Sequence, residues 1–249
     1  RSAVTVADDV HAIADAASRI RASPPLWEIY RDVYARLLEP VPAEAYPRLL
    51  ELGSGGGFLR ELAPHAITSE CVPTPAVDRV IDACQIDTYF EPGGLDAIVA
   101  FNVFHHLPEA GAFLRGAERV LRPGGRIVLI EPWFTTLGQW FYRLAHHEPF
   151  VLDPDDWTLR GEGRLDGANE RLPTSVFRDS DVRFAREFPA LRIRERRPFH
   201  KGLYIASGGL TFNTRVPGPL ARALVALDRA LPLGDETLGL FARVVVERV

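Results

Sequence analysis

Apolar residues in the first 40 positions recur at the three- and four-residue spacing of an amphipathic helix. This pattern predicts helices over residues 6–20 and 26–38, which a Ser-Pro-Pro break at residues 23–25 separates. After a proline-rich connection, short apolar runs alternate with helical stretches. Such alternation is typical of βαβ units and therefore predicts a parallel sheet.

Seven later runs have the length and the residue types of strands. They cover residues 48–52, 66–70, 79–81, 95–101, 126–131, 191–197 and 242–249. Helical patterns between or after these runs cover residues 56–62, 109–121, 137–146 and 220–230. Residues 148–180 are rich in Pro, Gly and Asp and are predicted to form a long ordered excursion, a feature often found in functional lids. The predicted fold class is α/β, with a helical N-terminal cap.

The composition and charge exclude several classes of protein. Hydrophobic residues make up 47% of the 249 residues and charged residues 25%, which is typical of a globular protein. The 29 basic and 33 acidic residues give a net charge of −4, so no nucleic-acid partner is expected. No apolar run approaches the ~20 residues of a transmembrane helix, and no signal-peptide pattern opens the chain. We therefore expect a cytoplasmic protein without a transmembrane segment, and its oligomeric state is left open.

No metal site is predicted. Cys71 and Cys84 lack the spacing of metal ligands. His146, His147 and Glu148 are side chains of ligand type, but adjacent histidines on a helix point about 100° apart and rarely bind one ion together.

The most informative stretch is the turn after the first predicted strand, Leu-Leu-Glu-Leu-Gly-Ser-Gly-Gly-Gly-Phe-Leu at residues 49–59. Glycines in such a turn adopt positive φ and let the backbone approach a ligand, and the helix predicted behind them offers N–H groups. A dinucleotide fingerprint has glycines at the first, third and sixth positions. Counted from Gly53, the sixth position is Phe58, which is too large for that packing. The spacing therefore disfavours a dinucleotide.

This turn and three further motifs resemble those of the class I S-adenosylmethionine (SAM)-dependent methyltransferases, in particular the type 11 family of bacterial small-molecule enzymes. The further motifs are Ile-Thr-Ser-Glu at residues 67–70, Asp-Ala at residues 82–83 and the strand-helix-strand pattern of residues 95–133. The resemblance covers residues 48–134 and implies a Rossmann-like sheet of seven strands, mostly parallel with an antiparallel last strand. It also implies that SAM is the cofactor.

The resemblance assigns roles to individual residues. Glu70 would bind the two ribose hydroxyls of SAM, while Asp82 and Ala83 would contact the adenine. The implied cofactor-binding residues are Glu51, Gly53, Ser54, Gly55, Gly57, Glu70, Cys71, Asp82, Ala83 and Asn102. The reaction would be methyl transfer to an O, N or C atom of a small molecule, and we expect it to belong to secondary metabolism. Two alternatives stay open, namely a SAM-binding enzyme with a non-methylating reaction such as cyclisation, and a non-catalytic partner subunit.

The resemblance further implies one domain over residues 1–249. It would comprise a helical cap (1–45), a SAM-binding core (46–135) and a C-terminal half with a lid-like insertion (136–249). We expect the cap and residues 148–180 to close over the substrate, because both flank the ligand edge of the sheet. Deletion of residues 1–40 should then abolish turnover but preserve SAM binding.

Three residues at predicted strand ends are candidates for a general base. His105 and His106 follow the fourth strand, and Glu131 ends the fifth. Imidazole has an unperturbed pKa near neutrality, whereas Glu131 would need burial to raise its pKa into the useful range. Successive residues that leave a strand point to opposite sides, so only one histidine is expected to face the substrate. We favour His106, because a helix start at Pro108 would turn it toward the pocket, and a structural role for the pair stays open.

Overall fold

A seven-stranded sheet forms the centre of the molecule. The computed structural model describes residues 6–135, 157–159, 167–199, 217–230, 237 and 239–249. The strands are β1 (Leu49–Leu52), β2 (Ile67–Glu70), β3 (Arg79–Val80), β4 (Leu95–Phe101), β5 (Leu121–Pro132), β6 (Leu191–Phe199) and β7 (Phe241–Arg248). Their order across the sheet is β3-β2-β1-β4-β5-β7-β6. The helix predicted over residues 137–146 and the ligand-type side chains at residues 146–148 lie outside the described residues.

The strand directions match the predicted sheet. The pairs β1–β2, β1–β4, β2–β3 and β4–β5 are parallel, whereas β7 runs antiparallel to both β5 and β6. The prediction of a Rossmann-like, mostly parallel sheet of seven strands with an antiparallel last strand is therefore confirmed. The carboxyl ends of the parallel strands all lie at one edge of this sheet.

The fifth strand is longer than predicted, because it begins at Leu121 rather than at Arg126. Leu121 pairs with Leu95 and Arg126 pairs with Ala97, so the residues between them interrupt the ladder as an irregular bulge. The predicted Pro-Gly-Gly turn lies in this bulge, where Gly124 has a φ of +75°. The predicted turn is present, but the chain continues as the same strand, β5, after it.

The longer helices within the described ranges are α1 (Val6–Ala22), α2 (Pro24–Leu38), α3 (Ala110–Val120), α4 (Asp181–Glu187) and α5 (Gly218–Ala230). Shorter helical segments lie at Phe58–Glu61, Ala83–Thr88, Phe104–His106, Leu172–Thr174 and Ser175–Asp179. The pattern reading did not anticipate α4, which follows the predicted excursion of residues 148–180. None of the helices in the described ranges has both the length and the apolar character needed to cross a membrane.

The helix predicted over residues 56–62 is instead a short 3₁₀ segment, Phe58–Glu61. Gly57, the residue before it, has a φ of +68°, which no right-handed helix contains. Pro64 lies just beyond it and disfavours helical geometry at the preceding residue. The stretch between these two residues is too short for a stable α-helix, so the prediction of one here was wrong.

Helices cover both faces of the sheet. On one face, α2 places Ile29, Val33 and Leu37 in a cluster with residues of β1, β4 and β5, and each of the three is at most 1% exposed. On the other face, Phe113 of α3 and Phe184 of α4 belong to a second cluster. Because both faces are buried, β4 is apolar at most positions rather than alternating. α2 is thus part of the core and not a detachable cap.

Candidate active site

The chain segments that follow β1, β2 and β4 meet at the carboxyl edge of the sheet, where open α/β sheets bind ligands. Two adjoining cavities lie there, a larger cavity of about 450 Å³ and a smaller cavity of about 360 Å³. The residues that line both are Ile13, Ala16, Gly53, Asn102 and His106. These five shared residues show that the two cavities lie side by side.

The glycine turn contributes to both cavities. Gly53, Gly55 and Gly57 all have φ between +55° and +68°, a conformation that glycine adopts without a steric penalty. A Cβ atom on Gly53 would lie 2.3 Å from Cγ2 of Val103, so no larger residue fits. At Gly55, by contrast, no heavy atom lies within 4 Å of the Cβ position. The turn therefore leaves open space over Gly55, on the side of the smaller cavity.

Glu70 ends β2 and lines the larger cavity, with 6% of its surface exposed. Its carboxylate accepts the N–H of Gly55 at 2.7 Å and the N–H of Cys71 at 3.2 Å. Burial raises the pKa of this carboxyl, and the two N–H donors oppose that shift. Glu70 thereby connects the glycine turn to β2 while its carboxylate stays at the cavity wall.

Glu51 lies in β1 and is 2% exposed. Burial raises its pKa to about 8, the neighbouring charge of Glu70 adds to the shift, and hydrogen bonding with Ser54 and Tyr34 opposes it. Its Oε2 atom is buried and has no hydrogen-bond partner among the described residues, and the same holds for Oδ1 of Asn102. Asn102 also has a φ of +55°, rare outside glycine. Asn102 lines both cavities, whereas Glu51 lines neither and lies behind their wall.

The remaining predicted cofactor residues divide between the two cavities, because Ser54 lines the smaller one. Cys71, Asp82 and Ala83 line the larger cavity. Asp82 also caps the short helix that follows it, because its Oδ1 accepts the N–H of Cys84 at 3.0 Å. Ser54 is buried, and its Oγ accepts the N–H of Ser69 at 3.0 Å, which joins β2 to the glycine turn. Within the described ranges, no three His, Cys, Asp or Glu side chains are grouped as a metal site.

His105 and Glu131 form a buried pair beside the smaller cavity. Oε2 of Glu131, which is fully buried, lies 2.6 Å from Nδ1 of His105. Oε1 of Glu131 accepts the N–H groups of Val103 and Phe104, both at 2.8 Å. A carboxylate at this position favours the tautomer with hydrogen on Nδ1, which places the lone pair on Nε2. Glu131 therefore orients both the turn after β4 and the imidazole ring.

The structure changes the interpretation of the three base candidates. Both oxygens of Glu131 are engaged, and Glu131 does not line either cavity, so its geometry is that of a positioning residue. His105 lines the smaller cavity and His106 lines both. Nδ1 of His106 donates to the carbonyl of Gly167 at 3.0 Å, since a carbonyl can only accept. The expectation that only one histidine faces the site was wrong, because Phe104–His106 is a 3₁₀ turn and not an extended strand.

The N-terminal helix α1 lines both cavities, whereas the sequence led us to expect the cap to close over the substrate only. Ala12, Ile13 and Ala16 line the larger cavity, and Ala17 and Ile20 belong to the wall of the smaller one. The structure therefore argues against the expectation that residues 1–40 could be deleted without harm to cofactor binding. The apolar face of α1 was visible in the sequence, but nothing in its periodicity shows what that face covers.

One family model matches more than half of the chain, and two kinds of curated relative match shorter parts of it. The family model described as "Methyltransferase domain" matches residues 25–160, more than half of the chain. Highly reducing polyketide synthase 40 of Fusarium pseudograminearum is 47% identical over 55 residues, which cover 22% of this chain and 2% of the synthase. The ubiquinone biosynthesis O-methyltransferase of Xanthomonas oryzae pv. oryzae is 29% identical over 103 residues, 33% of this chain and 41% of that enzyme. The chain thus spans about 2% of the synthase and less than half of the O-methyltransferase.

A solved structure shares the fold. It is the geranyl diphosphate C-methyltransferase of Streptomyces coelicolor A3(2), in complex with Mg²⁺, geranyl diphosphate and S-adenosyl-L-homocysteine. The two chains superpose with a TM-score of 0.50 at 15% identity, over 90% of this chain and 82% of that one. At this level of identity the likeness concerns the fold alone.

Proposed function

The chain belongs to the methyltransferase domain family, whose members are SAM-dependent enzymes, and on that premise we propose that it transfers a methyl group from SAM to an O, N or C atom of a small molecule. The observation that carries this proposal is the pair of adjoining cavities. One is lined by the acidic residues expected to hold SAM, and the other by a histidine paired with a buried carboxylate. We propose residues 1–249 as one domain, with residues 46–135 as its SAM-binding core.

The residues around the larger cavity fit SAM. The carboxylate of Glu70 at the cavity wall can accept hydrogen bonds from two ribose hydroxyls. The unpartnered acceptors of Glu51 and Asn102 suit the ammonium of the methionine end, because a buried polar atom without a partner is costly. Asp82 and Ala83 would hold the adenine. The open space at Gly55 lies on the side of the smaller cavity, so the glycine turn would contact the part of the bound molecule that extends into that cavity.

The side chains around the smaller cavity supply positioning and proton transfer. When bound, SAM supplies an electrophilic methyl group on its sulfonium. Holding the acceptor atom in line with that group can account for ~7–11 kcal/mol of the barrier. We assign His105 as the base, with Nε2 as the accepting atom, because Glu131 orients its ring and compensates the charge of the imidazolium. A positioned base contributes about 10²–10⁴-fold in rate. His105 thereby takes the role expected of His106, whose Nδ1 contacts the carbonyl of Gly167 and whose ring has no such carboxylate contact among the described residues.

Methyl transfer is tested with SAM that carries a labelled methyl group and with a metabolite extract as the source of acceptors. We expect a labelled product and formation of S-adenosylhomocysteine. His105→Ala should reduce the rate about 10²–10⁴-fold while the affinity for S-adenosylhomocysteine stays nearly constant. His65→Ala is the matched control, because His65 is exposed and does not line either cavity. Tight SAM binding without any labelled product would overturn the proposal in favour of a non-methylating enzyme.

A further inference from the structure

Resting on the proposed function, we propose that Phe58 is a positioning residue for the cofactor, because its ring supports the glycine turn at Gly56 and connects that turn to helices α1 and α2. The sequence pattern assigns Phe58 no role beyond disfavouring a dinucleotide, and it assigns none to Gly56. Both residues line the smaller cavity, beside Gly53 and Asn102, which are expected to contact the cofactor.

The turn needs support from its surroundings, because three glycines follow one another at residues 55–57. Glycine has more backbone freedom than any other residue and no side chain that could hold the turn in place. The N–H of Gly55 donates to Glu70 at 2.7 Å, and the N–H of Gly57 donates to the carbonyl of Ser54 at 2.9 Å. Gly56, between them, packs against the ring of Phe58.

The contact between Gly56 and Phe58 is made by the tip of the ring. A Cβ atom on Gly56 would lie 2.4 Å from Cζ of Phe58, and 2.8 and 2.9 Å from its two Cε atoms. These three atoms are the outermost atoms of the ring, so the ring tip lies directly against the backbone of Gly56. The ring of Phe58 therefore fits at this place only because Gly56 has no side chain.

Other side chains enclose the ring of Phe58, which is 3% exposed and cannot move aside freely. It packs edge to face with Trp27 and Tyr30 of α2, with ring centres 5.4 Å and 6.2 Å away. The guanidinium of Arg21, at the end of α1, lies 4.6 Å from the centre of the Phe58 ring and 4.3 Å from that of Trp27. Arg21 also forms an ion pair with Glu61. The ring thus connects both N-terminal helices to the glycine turn.

This support should increase the affinity for the cofactor. A turn that is already held in its binding conformation loses less conformational entropy when a ligand binds. The same ring holds the end of α1, and Ile13 and Ala16 of that helix line both cavities. Removal of the ring should therefore weaken cofactor binding even where the fold persists.

A double-mutant cycle on Gly56 and Phe58 tests the contact, with the affinity of the full chain for S-adenosylhomocysteine measured by calorimetry. Gly56 lacks the positive φ of its neighbours, so an alanine there adds no backbone strain. Gly56→Ala alone should weaken binding at least about tenfold, and Phe58→Leu alone about three- to tenfold. Leucine ends at its Cδ atoms and lacks the three ring atoms that face Gly56. In the Phe58→Leu background, Gly56→Ala should therefore cost less than about twofold.

Phe188→Leu is the control for general destabilisation. It removes the same ring atoms from a fully buried phenylalanine that lines neither cavity. It should lower the midpoint of thermal unfolding, as Phe58→Leu does, but leave the affinity for S-adenosylhomocysteine unchanged.

Arg21→Ala tests the same cluster without opening a space in the core, because Arg21 is exposed. It should weaken S-adenosylhomocysteine about two- to fivefold, since the ring of Phe58 and the end of α1 lose a contact. Arg31→Ala is its matched control, because Arg31 is exposed on α2, pairs with Glu28 and lines neither cavity.

An equal cost of Gly56→Ala in both backgrounds would overturn the proposal, because the alanine would then interfere with the bound molecule and not with the ring. Normal affinity in both Phe58→Leu and Arg21→Ala would overturn it as well. Failure of S-adenosylhomocysteine to bind the wild type would instead refute the proposed function.

Discussion

The buried carboxylate of Glu131 has two roles, because it holds the turn after β4 and orients the ring of His105. Glu131→Gln separates these roles. The glutamine has nearly the same shape and keeps one carbonyl oxygen, which can still accept the N–H groups of Val103 and Phe104. Its amide nitrogen, however, replaces Oε2, the atom that lies 2.6 Å from Nδ1 of His105 in the wild type. An N–H donor at that point forces the imidazole into the opposite tautomer, with the hydrogen on Nε2.

The size of both effects follows from these contacts. The charged contact with the His105 ring becomes a neutral hydrogen bond, and the backbone N–H of His105 loses its acceptor, which together cost about 1.5–3 kcal/mol of stability. For a chain of this length, about 1 kcal/mol corresponds to about 2–4 °C, so we expect the midpoint of thermal unfolding to fall by about 3–12 °C. With Nε2 protonated, His105 cannot accept a proton, so the rate should fall by the full contribution of a general base, about 10²–10⁴-fold.

The assay measures the turnover rate, the affinity for S-adenosylhomocysteine and the thermal midpoint of the same preparations. Glu118→Gln is the matched control, because Oε1 of Glu118 accepts the N–H of Ala190 at 2.8 Å far from either cavity. The control should lose some stability but no activity. A Glu131→Gln enzyme with near-normal turnover would show that the pair has only a structural role and that no proton passes through His105.

Three further outcomes are expected. Glu70→Ala should weaken SAM by about 1–3 kcal/mol in calorimetry, because the ribose hydroxyls lose a charged acceptor, and an unchanged affinity would mean that the ribose binds elsewhere. The pKa of Glu51 is about 8 in the ligand-free fold, and an ammonium ligand requires the ionised form. SAM affinity should therefore fall by up to about tenfold per pH unit below pH 8, while Glu51→Gln binds more weakly and without this dependence. Deletion of residues 1–22, which removes α1, should weaken SAM at least about tenfold, and normal binding by the truncated chain would contradict the position of α1 over the larger cavity.

The central strands β1, β4, β5 and β7 were predictable because their buried parts are apolar runs in the sequence, which is local information. The glycine turn was also recognisable from the sequence. Its backbone packs so closely against Val103 that only glycine fits at Gly53, so the requirement is visible as a residue type. The α-helix predicted over residues 56–62 was wrong for a reason that is also local. Gly57 and Pro64 both disfavour helical geometry, and too few residues lie between them for a stable α-helix.

Long-range contacts account for what the sequence could not show. The conformation of residues 103–105 depends on a carboxylate 26–28 residues away, so no local pattern predicts that both histidines face the cavities. The place of α1 is a second example. Its amphipathic pattern predicts a helix with one buried face. The same pattern is expected whether that face packs against the hydrophobic core or lines a ligand cavity, as it does here.

Three glutamates at the carboxyl ends of strands show how partners, and not residue type, decide function at this site. Glu131 already accepts three backbone N–H groups and contacts the ring of His105, so it has little capacity left for a ligand. Glu70 accepts two N–H groups but lines the larger cavity, where its oxygens can take further donors. Glu51 keeps a buried oxygen without a partner, which is why burial raises its pKa so far and why a cationic group is the ligand that it should attract. One residue type therefore orients a base, holds hydroxyls and binds a cation, according to the donors that the fold has already supplied.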